Sequence, residues 1–364
     1  MSRLAAYRNV EAGKVPGQMR AVQLWGVGFE NVGGLKGRYR VGQRFGIQPA
    51  VDVSPINHRE RYRNNGEGMK KVAVGYSLPG NLAEYLLVQE EVLEGGCLLP
   101  LPDQHMAYFA VSMGEPISCV YSAQERQIHI KKETPFAKRV AELGILRGGV
   151  TVVIGAGPMG LMHAELALRY RPKWLLVCDK IVERLERAKR TLGEKAKRAG
   201  VNLMTVGAEE LKARVAEVSG GTGVDDLILA VGIQGVQQAA IELLGKGGVA
   251  NLFGGLPKGQ HMLQVNALAV HYDEIKLVGS SGGQPSDLAA TLEAIAKGDV
   301  DPGNYVYGIA GLGHVPDVLR MIQSNKVEGK VIVYPHANVP ELRVVEYWDG
   351  DREGEFLEER LRGG

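Results

Sequence analysis

A glycine-rich turn that directly follows an apolar, β-branched run constrains the fold of this chain more than any other feature. The run covers residues 150–154, and its composition predicts a parallel strand buried on both faces. The turn consists of Gly155, Ala156, Gly157, Pro158, Met159 and Gly160. Its first glycine permits a tight turn, its second lets the backbone approach a pyrophosphate, and its third lets the next helix pack on the strand. With the N–H groups at the start of that helix, the turn predicts a dinucleotide-binding site.

An acidic residue at the end of the next apolar run supports this interpretation. Asp179 lies 19 residues beyond Gly160, at the spacing where a carboxylate accepts hydrogen bonds from the ribose hydroxyls of a dinucleotide. Because a carboxylate there repels a ribose phosphate, the sequence favours NAD over NADP. The nearby Lys180 and Arg184 keep NADP open as an alternative. A methyltransferase also uses a glycine-rich turn followed by an acid, so this second class stays open on the turn alone.

The order of apolar runs along the 364 residues places this turn in a larger sheet. Strand-like and helical segments alternate from residue 150 to about residue 283, which predicts an open parallel sheet with helices on both faces. The run 227–231 is one of its strands, and we assign Val231 and Gly232 at its end to the dinucleotide site. The predicted fold class is therefore α/β, with a Rossmann doubly wound parallel sheet.

The segments on either side of this sheet have a different pattern. Before residue 148, short β-like runs such as 44–48 and 83–88 lie between Pro, Gly and Asn residues, which predicts an irregular, mostly β lobe. Two helices and a late strand are predicted after residue 286. The charge-rich stretch 347–364 predicts a solvated tail.

Composition excludes several classes of protein. A formal net charge of +2 gives no strongly basic surface for a nucleic acid. No apolar stretch approaches the ~18 residues that a membrane span needs. Cys97, Cys119 and Cys178 have no paired spacing, which predicts packed small side chains and no disulfide framework. We therefore expect a cytoplasmic protein with a small-molecule substrate and with no nucleic-acid or membrane partner.

Several short motifs occur in the order found in the medium-chain dehydrogenase/reductase family, and the chain resembles that family from about Gly37 onward. The motifs are Arg40–Phe45, Gly80–Tyr85, Gly114–Cys119, Gly223–Asp226, Lys246–Gly248, Phe253-Gly254, His271–Glu274 and Val278–Ser280. Within the family, the chain is most similar to the L-sorbose phosphate reductase branch. That similarity is carried by residues 47–50, residues 97–100 and an insertion between the Glu115 motif and the strand at 150–154.

The resemblance implies a domain organisation and an activity. Residues 1–148 and 284–364 would form a GroES-like catalytic lobe, incomplete at its N-terminus, and residues 149–283 the Rossmann domain. The implied activity is an NAD(P)-dependent transfer of hydride between the nicotinamide and a polyol, secondary alcohol or sugar phosphate, with zinc as a Lewis acid. The family also pairs through the last strand of the cofactor sheet, so we expect a homo-oligomer that uses residues 275–278.

The zinc ligands expected from the resemblance are largely missing from the sequence. Glu115 matches the family's acidic ligand, but no cysteine precedes Cys97, and Gly26-Val27-Gly28-Phe29-Glu30 stands where Gly-His-Glu is expected. We expect a truncated or shifted N-terminus, because the family-like sequence begins abruptly near Gly37. The alternative is that the protein has lost its zinc site and is a non-catalytic dinucleotide-binding protein or a zinc-independent reductase. Glu115 is thus either the metal ligand or an acid at the start of a helix, and the catalytic residues stay unknown.

Other polar residues are assigned to ordinary structural roles. His58 and the basic residues Arg59, Arg61, Arg63, Lys70 and Lys71 lie in a polar stretch that predicts a solvated loop, with a sugar-phosphate pocket as the alternative. His163 is expected to pack in the helix after the glycine turn, although it could approach the cofactor. His271 and Tyr272 are expected to be structural or near the cofactor.

Overall fold

A computed structural model describes residues 21–23, 43–52, 71–75, 78, 80–86, 88, 92–93, 95–324 and 326–361. The chain divides into two compact units, Met1–Ser118 with Gly283–Gly364, and Cys119–Gly282. Residues 26–30, residues 40–42, His58 and the basic residues between 59 and 70 lie outside the described residues. Within the described parts of the chain, every helix is too short or too polar to cross a bilayer.

The strands and helices are numbered in chain order. The strands are β1 (Ala21–Gln23), β2 (Arg44–Ile47), β3 (Ala50–Asp52), β4 (Lys71–Ala73), β5 (Leu98–Pro100), β6 (Ile128–Lys131), β7 (Val140–Leu143), β8 (Val150–Ile154), β9 (Trp174–Asp179), β10 (Asn202–Gly207), β11 (Val224–Leu229), β12 (Leu244–Asn251), β13 (Lys276–Val278), β14 (Val306–Ala310), β15 (Lys330–Val333) and β16 (Arg343–Val344). The helices are α1 (Tyr108–Gln124), α2 (Pro158–Ala167), α3 (Val182–Ala199), α4 (Leu211–Ser219), α5 (Gln234–Ile241), α6 (Ala267–Tyr272), α7 (Pro285–Ala296), α8 (Val315–Gln323) and α9 (Gly350–Leu361).

The second unit is built on a six-stranded parallel sheet in the order β10-β9-β8-β11-β12-β13. This is the Rossmann order, in which the connection reverses direction between β8 and β11, and ligands bind beyond the carboxyl ends of the strands at that reversal. All five residues of β8 are buried, as the continuous β-branched run requires. The predicted Rossmann fold class is therefore confirmed.

Some elements of this unit differ from the sequence prediction. β10 and α4 were not predicted, because the run 202–207 mixes polar with apolar residues and has no strand period. The strand predicted at 227–231 begins at Val224 and ends at Leu229, so Val231 lies in the loop that follows it.

The first unit contains short strands in three small sheets, β1-β2-β5, β3-β4 and β15-β14-β16. The strand predicted at 83–88 is wrong, because the described residues of that segment form bends and irregular backbone. The predicted helices after residue 286 and the strand at 330–333 are confirmed as α7, α8 and β15. The short strands that the pattern predicts before residue 148 are present, but the described part of this unit also contains the start of α1 and all of α7, α8 and α9, so it is not mostly β.

The predicted solvated tail at 347–364 is wrong for the part that the structure describes. Residues 350–361 form α9, and Trp348 and Phe356 are buried. The ring centroid of Phe356 lies 5.0 Å from that of Tyr334 and 6.0 Å from that of Trp348. The many charged residues of this stretch made a solvated segment the expected structure, so composition did not predict the helix. The helix has few apolar side chains, but its Phe356 and the preceding Trp348 are large aromatic residues that pack in the core.

Glu353 on α9 is a buried carboxylate that accepts three hydrogen bonds. Its Oε2 accepts from the Tyr108 N–H at 2.6 Å, and its Oε1 accepts from the Phe109 N–H at 2.8 Å and the Tyr334 hydroxyl at 2.6 Å. The first N–H groups of a helix have no acceptor within the helix, so Glu353 caps α1 from a distant part of the sequence. The Trp348 indole also donates to the Tyr334 hydroxyl at 2.9 Å.

A pH dependence follows from this burial, which raises the pKa of the Glu353 carboxyl above its ordinary value of 4.5. Since the pKa in the folded state exceeds that in the unfolded state, the group's stabilisation is complete below about pH 4.5 and is lost as pH rises through the folded pKa. Glutamine does not ionise, so we expect the Tm of the Glu353→Gln variant to fall less than that of the wild-type chain as the pH rises from 4.5 to 8. Thermal unfolding followed by circular dichroism measures this; parallel Tm curves for the two proteins would contradict it.

Candidate functional site

The glycine turn lies beyond the carboxyl end of β8, at the reversal in strand order. Gly155 has a φ of +102°, and a Cβ at this position would lie 2.7 Å from Val231 Cγ1. A Cβ at Gly160 would lie 1.6 Å from the carbonyl oxygen of Gly155. The turn itself therefore requires glycine at both positions. At Gly155 the reason is the left-handed backbone, and at Gly160 it is the close approach of the start of α2 to the Gly155 carbonyl.

Gly157 differs from the other two glycines, because a Cβ there would meet no protein atom within 4 Å. Its φ of −68° is open to any residue, so neither strain nor packing requires glycine at this position. Gly157 is the N-cap of α2 and provides no side-chain cap, and Pro158 follows it in the first turn. The space beside Gly157 is thus open, and it lies at the start of a helix, where N–H groups and the helix dipole favour negative charge.

Asp179 ends β9 and braces the glycine turn. Its Oδ2 accepts a hydrogen bond from the Ala156 N–H at 2.8 Å, and its Oδ1 accepts one from the Ile181 N–H at 3.0 Å. An ionised carboxylate has about four acceptor positions, so two remain after these bonds. Arg184 Nη1 lies 3.8 Å from Asp179 Oδ2, and the arginine side chain is one-third exposed. A negative and a positive charge therefore lie side by side where the sequence predicts the ribose.

Val231 and Gly232 lie in the loop after β11 and are held by close backbone packing. A Cβ at Gly254 would lie 2.4 Å from the Val231 carbonyl oxygen, and one at Gly232 would lie 2.6 Å from the Gly255 carbonyl oxygen. The buried Gln237 donates through Nε2 to the carbonyls of Val231, at 2.8 Å, and of Gly254, at 2.6 Å. Gln237 is a positioning residue that the sequence does not predict, because a glutamine in a helix carries no signal for a contact with two loops.

His163 lies in α2 and is fully buried against Phe253, with ring centroids 4.4 Å apart. Burial lowers the pKa of His163 to about 3, so the ring is neutral. The expected packing role is confirmed. His271 and Tyr272 are exposed and contact each other edge to face. Their expected role, structural or near the cofactor, stays a prediction.

Cys97 and Cys178 are buried, and burial raises the pKa of each thiol to about 11. They are packed side chains, as the sequence predicts. Cys119 is half-buried, and none of the three cysteines forms a disulfide within the described residues. Thiols with a raised pKa are poor nucleophiles and poor metal ligands at neutral pH.

Glu115 lies well inside α1, which begins at Tyr108 and continues through Pro116. The interpretation of Glu115 as an acid at the start of a helix is therefore wrong. Among the residues that the structure describes, no three His, Cys, Asp or Glu side chains are grouped closely enough to hold a metal ion. These residues do not fit a zinc centre, and Glu115 stays a prediction as a single ligand.

The strand order, the glycine turn and the acid at the end of β9 together define a Rossmann-fold protein of the dinucleotide-binding type. The family described as "Zinc-binding dehydrogenase" matches residues 177–297. A mannitol-1-phosphate 5-dehydrogenase of Aliivibrio fischeri is 29% identical over 313 residues, which cover 84% of this chain and 69% of that protein. An L-sorbose 1-phosphate reductase of Klebsiella pneumoniae is 30% identical over 243 residues, which cover 65% of this chain and 57% of that protein.

A solved structure shows the same fold. The alcohol dehydrogenase rspB of Escherichia coli CFT073, complexed with NADH, superposes with a TM-score of 0.65 at 18% identity, over 87% of this chain and 83% of that one. These matches confirm the resemblance to the zinc-binding dehydrogenases of the medium-chain dehydrogenase/reductase family that the sequence predicts. They favour a dehydrogenase over the methyltransferase alternative that the glycine turn alone leaves open.

Proposed function

We propose that this protein is an NAD(P)-dependent oxidoreductase that transfers a hydride between the nicotinamide and a polyol, secondary alcohol or sugar phosphate. The observation that carries the proposal is the open space at Gly157, beside the uncapped start of α2 and next to Asp179. In a turn where Gly155 and Gly160 are required by packing, a glycine with free space around it is explained by a ligand that approaches the backbone.

The residues of the turn have distinct roles in this proposal. The backbone of Gly157, Pro158 and Met159 would lie against the pyrophosphate at the start of α2, where the helix dipole favours negative charge. The two remaining acceptor positions of Asp179 would bind ribose hydroxyls. Val231 and Gly232 would border the same site. When bound, the nicotinamide accepts or donates the hydride, which is the chemistry that no protein side chain supplies.

The choice between NAD and NADP depends on the pair of charges at the ribose position. Asp179 repels a ribose phosphate, and we propose NAD as the main cofactor. Arg184 lies 3.8 Å from Asp179 and reduces that repulsion, so NADP is the alternative cofactor.

The proposed substrate class rests on the relatives. Their names describe a mannitol-1-phosphate dehydrogenase and an L-sorbose 1-phosphate reductase, both of which act on a phosphorylated sugar or polyol. The basic residues between 59 and 70 that could bind such a phosphate lie outside the described residues. A small-molecule substrate of this class is therefore the proposal, with the individual sugar left open.

A second candidate is a non-catalytic dinucleotide-binding protein. It is favoured by the lack of any three grouped metal-ligating side chains among the described residues. Both candidates require dinucleotide binding at the glycine turn, and they differ only in whether hydride transfer follows.

The two candidates are separated by titrating the purified chain with NADH and NADPH, measuring its zinc content, and assaying mannitol 1-phosphate and L-sorbose 1-phosphate. We expect NADH to bind with a Kd of about 10 μM, in the usual range of cofactor Michaelis constants, and to be oxidised or formed with one of these substrates. Binding without turnover, with or without added zinc, would establish the non-catalytic candidate. No binding of either dinucleotide would overturn both.

Oligomerisation and location stay proposals as well. β13 is an edge strand that pairs only with β12 among the described strands, and Leu277 in β13 and Leu268, Val270 and Tyr272 in α6 expose apolar surface. A homo-oligomer that pairs through this edge fits that surface. The lack of a disulfide among Cys97, Cys119 and Cys178 supports the proposed cytoplasmic location.

A further inference from the structure

The insertion between the Glu115 motif and β8 forms an antiparallel hairpin of β6 and β7 that the proposed function does not use. All four residues of β7 are exposed, and Phe136 in the turn is 99% exposed. Ile130, Val140 and Leu143 are also exposed, at 46%, 61% and 54%. A two-stranded hairpin is marginally stable on its own, so this much uncovered apolar surface needs an explanation.

The base of the hairpin is fixed to the sheet of the second unit. Asp226 on β11 is fully buried, and its Oδ1 lies 2.9 Å from His129 Nε2 and accepts a hydrogen bond from Gln127 Nε2 at 3.0 Å. Its Oδ2 accepts from the Leu146 N–H at 2.7 Å. Asp226 therefore binds the segment before β6 and the segment after β7, and these contacts fix the base of the hairpin to β11.

The hydrogen-bond pattern shows which backbone groups of β7 are directed away from β6. Residues pair as Ile128 with Leu143, His129 with Glu142, Ile130 with Ala141 and Lys131 with Val140. The Gly144 N–H donates to the Gln127 carbonyl at 2.9 Å, which makes 127 and 144 a hydrogen-bonded pair in the same register. Because such pairs alternate along an antiparallel ladder, residues 142 and 140 bond to β6, and the N–H and C=O groups of residues 139, 141 and 143 point outward.

This alternation limits how β7 could pair with a further strand. Outward-directed residues must face outward-directed residues of the partner strand. For two copies of β7 related by a two-fold axis, one allowed register is centred on Val140. It places Val140 opposite its counterpart and sets Lys138 opposite Glu142 on both sides of the axis. The neighbouring allowed register is centred on Ala141 and places Val140 opposite Glu142, an apolar residue against a charged one.

We propose that β7 pairs antiparallel with β7 of a second copy of this chain, in the register centred on Val140. The pairing would make a four-stranded sheet from two hairpins, with an apolar contact on the axis and Lys138 beside Glu142 on each side. Glu142 already forms an ion pair with Lys131 of its own hairpin, so each Glu142 would lie between two lysines. This self-complementary pattern of charge favours a second copy over an unrelated strand, because a two-fold interface requires each surface to match itself. Opposite charges directly across antiparallel strands stabilise the pairing, and like charges destabilise it.

Charge reversal tests the register. Lys138→Glu places two glutamates opposite each other, and Glu142→Lys places two lysines opposite each other. We expect each single variant to weaken association by about tenfold or more, and the double variant Lys138→Glu/Glu142→Lys to restore it. Light scattering after size-exclusion chromatography over a range of concentrations measures the mass. Lys132→Glu is the matched control, with the same change of charge in the turn, and should associate like the wild-type chain.

Cysteine cross-linking tests the same register without altering charge. Val140→Cys would face its counterpart at a Cα separation of about 4.5 Å, which a disulfide spans. Under oxidised glutathione we expect covalent dimers from Val140→Cys and none from Leu143→Cys, which is similarly exposed but faces residue 137. Equal cross-linking of the two variants, unchanged masses for the charge variants, or a double variant that fails to associate would each overturn the proposal. None of these measurements depends on dinucleotide binding or on activity.

Discussion

Alanine at position 160 is expected to destabilise the second unit by about 3 kcal/mol or more, toward the upper end of the cost of overpacking. The new methyl group would lie 1.6 Å from the Gly155 carbonyl oxygen, and this neighbour is backbone that cannot rotate away. The start of α2 would have to move from the end of β8. Urea unfolding followed by circular dichroism measures the loss.

Gly157→Ala is the matched control for Gly160→Ala, because it makes the same substitution three residues earlier. A Cβ at Gly157 meets nothing and its φ is ordinary, so the free energy of unfolding should stay close to that of the wild-type chain. The methyl group would occupy the space proposed for the pyrophosphate. If it costs one charge-assisted hydrogen bond, of roughly 1.5–3 kcal/mol, affinity for NADH falls about ten- to a hundredfold.

Together, Gly160→Ala and Gly157→Ala distinguish an effect on the stability of the fold from an effect on NADH binding. A Gly157→Ala protein that is stable but binds NADH as tightly as the wild-type chain would contradict the proposed site. A Gly160→Ala protein as stable as the wild-type chain would contradict the packing of the turn.

Replacing Glu353 with alanine is expected to cost about 3 kcal/mol of stability, because three buried donors lose their acceptor together. These donors are the N–H groups of Tyr108 and Phe109 and the hydroxyl of Tyr334. The start of α1 then has no cap, and the contact between α9 and α1 is lost. The midpoint of urea unfolding measures the effect.

Glu355→Ala is the control for this variant, since Glu355 is an exposed residue of the same helix. Its substitution should change the free energy of unfolding by less than about 0.5 kcal/mol. Equal effects of the two substitutions would show that helix propensity, and not the buried hydrogen bonds, accounts for the loss at Glu353.

The features that the sequence predicted well are those whose chemistry is local. The strand at 150–154 and the turn that follows it are recognisable because burial on both faces requires a continuous apolar run, and a tight turn requires glycine. The six-stranded parallel sheet follows from the alternation of such runs with helices. β10 was missed because its residues are only half apolar, and its place in the sheet is fixed by pairing with β9.

The features that the sequence could not predict depend on contacts between distant residues. Glu353 caps a helix that begins 245 positions earlier in the chain, and a charge-rich stretch carries no signal for such a contact. Glu115 seemed to start a helix because Pro116 follows it, yet packing extends α1 through the proline. Gln237 holds two loops that only the folded sheet brings together.

The sequence by itself determined the Rossmann turn and the family resemblance. Glycines, β-branched runs and short motifs act through local geometry, so their order along the chain is enough to recognise them. Only the tertiary structure separated the three glycines of the turn, two required by packing and one with open space beside it. It also showed that the described residues group no metal ligands, and that the insertion ends in an exposed strand. These properties depend on which atoms meet in space, and local sequence does not specify that.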